Sequence, residues 1–155
     1  MVIREAGILF RDNNLVRSIY IQKEIEIYNV YRTDLVNSLL NLVQDVFLTD
    51  IIEYLGGKEF VIAFIEDKIF VEDSVSNEPE SLIIYCIFDN KKKVDKYVYK
   101  VVLPLLKKIA LEFKATQKVL KSPNSFQTTD FKAKIDEILG DETKTIDQKL
   151  RENLL

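Results

Sequence analysis

The chain contains no histidine and a single cysteine, Cys86. The missing imidazole removes the usual proton shuttle near neutral pH, the commonest metal ligand, and every Ser/His or Cys/His nucleophile pair. Cys86 sits inside the apolar run Leu82 to Phe88, where a free cysteine acts as a small buried hydrophobe; a disulfide within the chain is ruled out. Four carboxylates, Glu66, Asp67, Glu72 and Asp73, are close enough in sequence to suggest acid/base chemistry or a cation. They lack the Asn, Gly and Glu offsets of a calcium loop, so solvated strand ends are the expected role. Gly56-Gly57 is not followed by the Gly-Lys-Ser/Thr of a phosphate loop, and a turn explains it. The residue types therefore lead to an expectation of no catalytic residue, no metal ligand set and no cofactor site, and hence of a protein that is not an enzyme.

The least random feature is where the charge lies. Residues 1–90 carry 7 basic and 16 acidic side chains, residues 91–121 carry 10 and 2, and residues 122–155 carry 5 and 7. One short segment is thus strongly basic in a chain whose net charge is -3. Its lysines, above all Lys92, Lys96 and Lys100, are candidate contacts for an acidic protein partner or, with nothing further in the composition to indicate it, an anionic membrane surface. A solvated helix face that balances an acidic sheet edge of the same molecule is the preferred reading at this level. Nucleic acid is not expected, because the chain is acidic overall and Tyr97 and Tyr99 do not form a stacking motif beside the lysines.

These residues must be positioned by elements whose periods are legible. Ala6-Gly7-Ile8-Leu9-Phe10 and Leu15 to Ile21 read as two strands, with Asp12-Asn13-Asn14 between them as a hairpin turn, because Asn and Asp tolerate positive backbone angles. A polar and β-branched passage from Gln22 to Tyr31 then leads to Thr33 or Asp34 as a helix cap. Leu35, Leu39, Leu42, Val43, Val46 and Phe47 follow with the spacing of a one-faced helix. Ile51 to Leu55, Phe60 to Ile65 and Ile69 to Val71 are strand-like, Gly56-Gly57 marks a hairpin through positive φ, and Glu66 to Lys68 reads equally as a bulge or a turn. Leu82 to Phe88 is apolar at every position, the pattern of a central strand covered on both faces. From Val94 to about Leu120 runs a long helix in which Pro104 should give a kink or two pieces.

Ser122-Pro123-Asn124-Ser125 reads as a linker. It divides the chain into a domain over 1–121 and a C-terminal segment over 122–155 with two short amphipathic helices. Phe131, Ile135, Ile138 and Leu139 line the first, which Gly140 stops, and Ile146, Leu150 and Leu154 line the second. Neither is long enough to be stable alone in water, so Phe131, Ile135 and Ile138 are a second candidate for partner binding, in cis or in trans. The 155 residues, 47% hydrophobic and 30% charged, suit one soluble unit. Met1-Val2-Ile3-Arg4-Glu5 lacks the basic start and apolar run of a signal peptide, giving a cytoplasmic expectation.

The order hairpin, helix, three-strand meander and long closing helix resembles that of longin domains and the related roadblock domains, within the wider profilin-like superfold. The resemblance covers about Val2 to Leu120. It is carried by Ala6 to Phe10 with the Asp12-Asn13-Asn14 turn, the helix Leu35 to Phe47, Gly56-Gly57 before Phe60-Val61-Ile62, and Leu82 to Phe88 leading into Val94. Roadblock domains commonly begin with an extra helix that is absent here, so the longin layout is the closer one. It implies an α+β fold with a five-stranded antiparallel sheet in the order 2-1-5-4-3. It also implies a non-catalytic adaptor that binds small GTPases or other trafficking and signalling components, often as a dimer. A structural or assembly subunit is the alternative, and a small-ligand sensor a further one.

Overall fold

The computed structural model describes residues 1–21, 23–44, 53–72, 78–117, 119–120 and 128–154. Strands β1 (Ile3–Phe10), β2 (Asn13–Ile19), β3 (Tyr54–Gly56), β4 (Phe60–Val71) and β5 (Glu80–Asp89) form an antiparallel sheet in the order β2-β1-β5-β4-β3. The fold is α+β, with the strand order that the longin resemblance implied. β5 is central, and from Leu82 to Asp89 every residue is buried, because helices cover both faces of the sheet. A two-residue strand β6 (Val119–Leu120) adds in parallel to the far end of β4.

Side-chain alternation along the strands divides the core in two. Leu9, Ile62, Phe64, Ile83, Tyr85 and Ile87 point to one face, where α1 (Ile25–Val43) supplies Tyr28, Leu35, Val36 and Leu39. Ala6, Ile8, Ala63, Ile84, Cys86 and Phe88 point to the other, under the long helix and α4 (Thr128–Leu139). The long helix comprises α2 (Val94–Tyr97), a π segment (Val98–Val102) and α3 (Leu103–Thr116). A 3₁₀ turn (Gly140–Thr143) and α5 (Ile146–Leu154) complete the chain. Among the described residues no helix is long and apolar enough to cross a membrane.

Several local expectations change. The first helix begins at Ile25, not near Leu35, and Thr33 lies inside it with its hydroxyl donating to the Asn29 carbonyl at 2.8 Å. The inward positions of the early turns are Tyr28 and Arg32, whose polar ends conceal the helical period; Val46 and Phe47 lie outside the described residues. The β1–β2 turn places positive φ at Arg11 (49°) and Asp12 (63°) rather than at the asparagines. Phe10 pairs with Asn13, leaving a two-residue loop of the mirror-image type that suits strand twist. Gly56 and Gly57 do form the β3–β4 hairpin, but neither has positive φ. A Cβ at Gly57 would stand 3.0 Å from the Phe60 carbonyl and 3.2 Å from Leu35, so a larger residue would be tightly packed there. Glu66 to Lys68 is neither bulge nor turn: β4 passes through it in unbroken register with β5.

The long helix neither stops nor splits at Pro104. The turn before it widens, with the Leu103 N–H donating five residues back to the Val98 carbonyl. Such π geometry absorbs the proline, whose ring and missing N–H would disrupt an ordinary α-helical turn. The α-helix ends at Thr116, short of Leu120, which belongs to β6. Gly140, at φ 53°, ends α4 in the left-handed conformation common after a helix. Ser122 to Ser125, the expected linker, lies outside the described residues.

Candidate functional site

The basic segment is an exposed ridge along the long helix. Lys93 precedes α2 in the left-handed conformation (φ 65°), and Lys92, Lys93, Lys96, Lys100, Lys107 and Lys108 are all exposed. Residues 93, 96, 100 and 107 recur at three-, four- and seven-residue intervals along a helix whose middle turn is of the π type. Tyr99 and Leu111, both largely exposed, stand beside them. Intramolecular pairing reaches only the ends of the ridge among the described residues: Lys91 lies 3.9 Å from Asp89, and Lys114 lies 3.1 Å from Asp67. The two acidic residues of the segment are committed elsewhere, Asp95 to the Tyr54 hydroxyl and Glu112 to Lys134 at 3.8 Å. The expected balancing of this face by an acidic sheet edge therefore takes up little of it through direct ion pairs. Lys92, in the turn before α2, and Lys96 and Lys100, on the helix, are all exposed; the placement of Lys118 lies outside the described residues.

The apolar stripe on α4 is used within the chain. Phe131, Ile135 and Leu139 are buried, and Ile138 packs partly against the same cluster. The Phe131 ring meets Phe113 edge-on at a centroid distance of 5.4 Å, a geometry that aromatic quadrupoles favour. Tyr20 donates its hydroxyl to Asp136, tying α4 to the chain after β2. The core cluster thus extends across residue 121, and a partner could reach Phe131, Ile135 and Ile138 only by displacing α4.

Among the described residues, the largest polar constellation escapes a reading of spacing, because its members are far apart in sequence. Glu5 on β1 is completely buried. Its carboxylate accepts from Tyr28 at 2.7 Å, Tyr85 at 2.5 Å, Arg32 Nε at 3.1 Å and Arg17 Nη2 at 3.4 Å. Asn14 accepts from Arg32 at 2.5 Å and donates to the Tyr85 hydroxyl at 2.8 Å. Burial, reinforced by the adjacent Glu5 charge, holds the Tyr28 and Tyr85 hydroxyls far above their ordinary titration range. Burial opposes the charge on Arg32, but Glu5 and Tyr85 outweigh it and raise that pKa. Two phenols and two guanidiniums saturate the carboxylate, so the arrangement neutralises a buried charge and leaves Glu5 no free lone pair for a substrate. The available signals were a lone acid in an apolar strand and the spacing Tyr28, Arg32, Leu35, Leu39.

A cleft of about 650 Å³ lies beside this network, between the start of α1 and α5, and Tyr28, Tyr31, Phe60 and the Arg4–Asp89 pair line it. Arg4 donates to Asp89 through Nε at 2.9 Å and Nη2 at 3.1 Å. The acidic positions near the end of β4 are similarly engaged: Glu66 lies 3.3 Å from Lys68, and Asp67 accepts from Lys114. Asp73 is outside the described residues, among which there is no cluster of His, Cys, Asp or Glu suited to a metal ion. Cys86 is fully buried, and burial pushes its thiol pKa well up. No known family model matches the chain, and no curated protein sequence does.

Proposed function

We propose that this chain is a non-catalytic protein-interaction module of the longin type, acting in the cytoplasm as a platform or regulator for a small GTPase, and that the lysine ridge is its docking face. One observation carries the reading: Lys92, Lys93, Lys96, Lys100, Lys107 and Lys108 are exposed together without a carboxylate partner among the described residues. Holding several cations side by side is unfavourable unless solvent or an anionic partner screens them, and such a field steers an acidic protein toward the surface. The sheet order and the helices on both faces are compatible with the longin layout, and adaptor function follows from that resemblance. The saturated Glu5 cluster and the buried Cys86 thiol support a non-catalytic role.

The test is capture of small GTPases loaded with GDP or GTP, using the full chain and a Lys92→Glu, Lys96→Glu, Lys100→Glu variant. Nucleotide-dependent capture by the native chain, lost in the variant and weakened by salt as the screening length falls from about 10 Å at 0.1 M to about 3 Å at 1 M, is the expected result. Thermal melts of the two should agree, since exposed charges contribute little to stability. Capture indifferent to both salt and charge reversal would remove the ridge from the interface, and failure to capture any GTPase would remove the GTPase.

A further inference from the structure

The π turn decides which lysines of the long helix share a line. In an uninterrupted α-helix, positions four residues apart drift by about 40° per step, so residues 96 and 108 would stand about 120° apart around the axis. A π turn holds one residue more than an α turn, and the extra residue between Val98 and Val102 sets everything after it back by about 100°. The inward side follows this spacing: Val98, Val102 and Leu106, at two successive four-residue steps, are all completely buried. Opposite them Lys96, Lys100, Pro104 and Lys108 are all exposed, again four apart. The three lysines therefore stand in a nearly straight row along the crest of the helix, about 18 Å from first to last at about 1.5 Å per residue.

Lys107 lies on the shoulder of the helix instead. It follows buried Leu103 by four residues and precedes buried Ala110 by three, whereas Lys108 neighbours Pro104, Leu111 and Glu112, all exposed. Two lysines adjacent in sequence thus differ chiefly in the direction they face. Glu112, one turn beyond Lys108, is taken by Lys134 at 3.8 Å, and none of the three row lysines has a carboxylate partner among the described residues. Cations held in line on a rigid helix repel one another, and a partner whose anions lie along the same line relieves every member at once. The arrangement, beyond the net charge, then selects the partner and fixes its register. A broad anionic surface would gain as much from Lys107 as from Lys108.

We propose that Lys96, Lys100 and Lys108 form the recognition element of the ridge, and that its occupant is a segment of an acidic protein that lays carboxylates along this line, with Lys107 outside the contact. The proposal rests on the ridge being a docking face, but not on the partner being a GTPase.

Fluorescence anisotropy of a fluorescein-labelled octaglutamate, which in extended form exceeds the row in length, tests this with the full chain at about 0.05 M salt, where screening is weak. The native chain should bind the peptide. Lys96→Glu and Lys108→Glu should each weaken binding on the order of tenfold, and Lys107→Glu by no more than about threefold. Each variant changes the net charge equally, so the difference reports position alone, and thermal melts that match the native one exclude misfolding. Equal losses at Lys107 and Lys108 overturn the row, since net charge alone would then be read. A native chain that does not bind octaglutamate overturns it as well. The same variants in the GTPase capture keep the two readings apart. The row pattern on the peptide with no GTPase captured keeps the row and removes the GTPase, whereas capture of a GTPase with equal losses at Lys107 and Lys108 keeps the GTPase and removes the row.

Discussion

Glu5 is the residue on which the α1 face of the sheet depends. A carboxylate without access to water is tolerated only because Tyr28, Tyr85, Arg32 and Arg17 surround it. Replacing Arg32 with Ala should destabilise the fold by about 3–5 kcal/mol, since the lost partner leaves a buried charge uncompensated. Urea unfolding measures this, and adding Glu5→Gln should restore part of the loss, a non-additivity that a double-mutant cycle reads directly. Equal losses in the single and double variants would show that Arg32 acts through packing alone. Gly7 belongs to the same assembly: a Cβ there would lie 2.5 Å from the Val16 carbonyl and 2.8 Å from the Tyr85 hydroxyl. Gly7→Ala should therefore cost about 1–3 kcal/mol through overpacking, together with whatever is lost when Tyr85 withdraws from Glu5. An unchanged midpoint would mean that the strand shifts freely at this position.

The helices show what a sequence pattern can and cannot reveal. Strand period placed β1 and β5 and located β2 and β4 without their bounds, since β2 begins at Asn13 and β4 runs unbroken through Glu66 to Lys68; the unbroken apolar run Leu82 to Phe88 marked the central strand, because two-sided burial is written into consecutive residues. The start of α1 was hidden because its inward side is partly polar, matched to a buried acid that no local window contains. The lysine ridge was legible as a charge run, whereas the Glu5 cluster was not, since it joins residues from β1, β2, α1 and β5. In α4, the amphipathic period was visible, but whether it docked in cis or in trans was not. Its place beneath Phe113 gives a direct measurement: Phe131→Ala should cost about 3–5 kcal/mol, the usual range for deleting a buried aromatic ring. Hydrogen exchange in native conditions should show α4 amides protected with the sheet. Rapid exchange of α4 with the sheet still protected would mean that the helix detaches as a separate unit.

Across the whole molecule, and among the described residues, four tyrosines with phenol pKa values raised chiefly by burial tie one layer to the next through carboxylates, beside the exposed Tyr54–Asp95 pair. Tyr20 reaches Asp136 on α4, Tyr28 and Tyr85 reach Glu5 on β1 from α1 and β5, and Tyr97 on α2 reaches Glu142 in the 3₁₀ turn. In each case burial first, and the carboxylate second, raises the phenol pKa well above its ordinary value of about 10. The consequence for stability has a definite sign. In the unfolded chain these phenols ionise near the ordinary value, whereas the folded chain keeps them protonated, so above about pH 10 the unfolded state binds fewer protons and is favoured. Their contribution is complete below that pH and is lost as pH rises toward the folded values, by up to about 1.4 kcal/mol per pH unit for the buried Tyr28 and Tyr85, and by less for the half-buried Tyr20 and Tyr97, which solvent screens. The four should therefore not titrate one by one. Their phenolate absorbance should appear together with the loss of circular dichroism, in one steep alkaline transition that Tyr28→Phe makes shallower by about one proton. Independent titration near pH 10 in a chain that stays folded would show that these hydroxyls face water and that the layers are held by apolar packing alone.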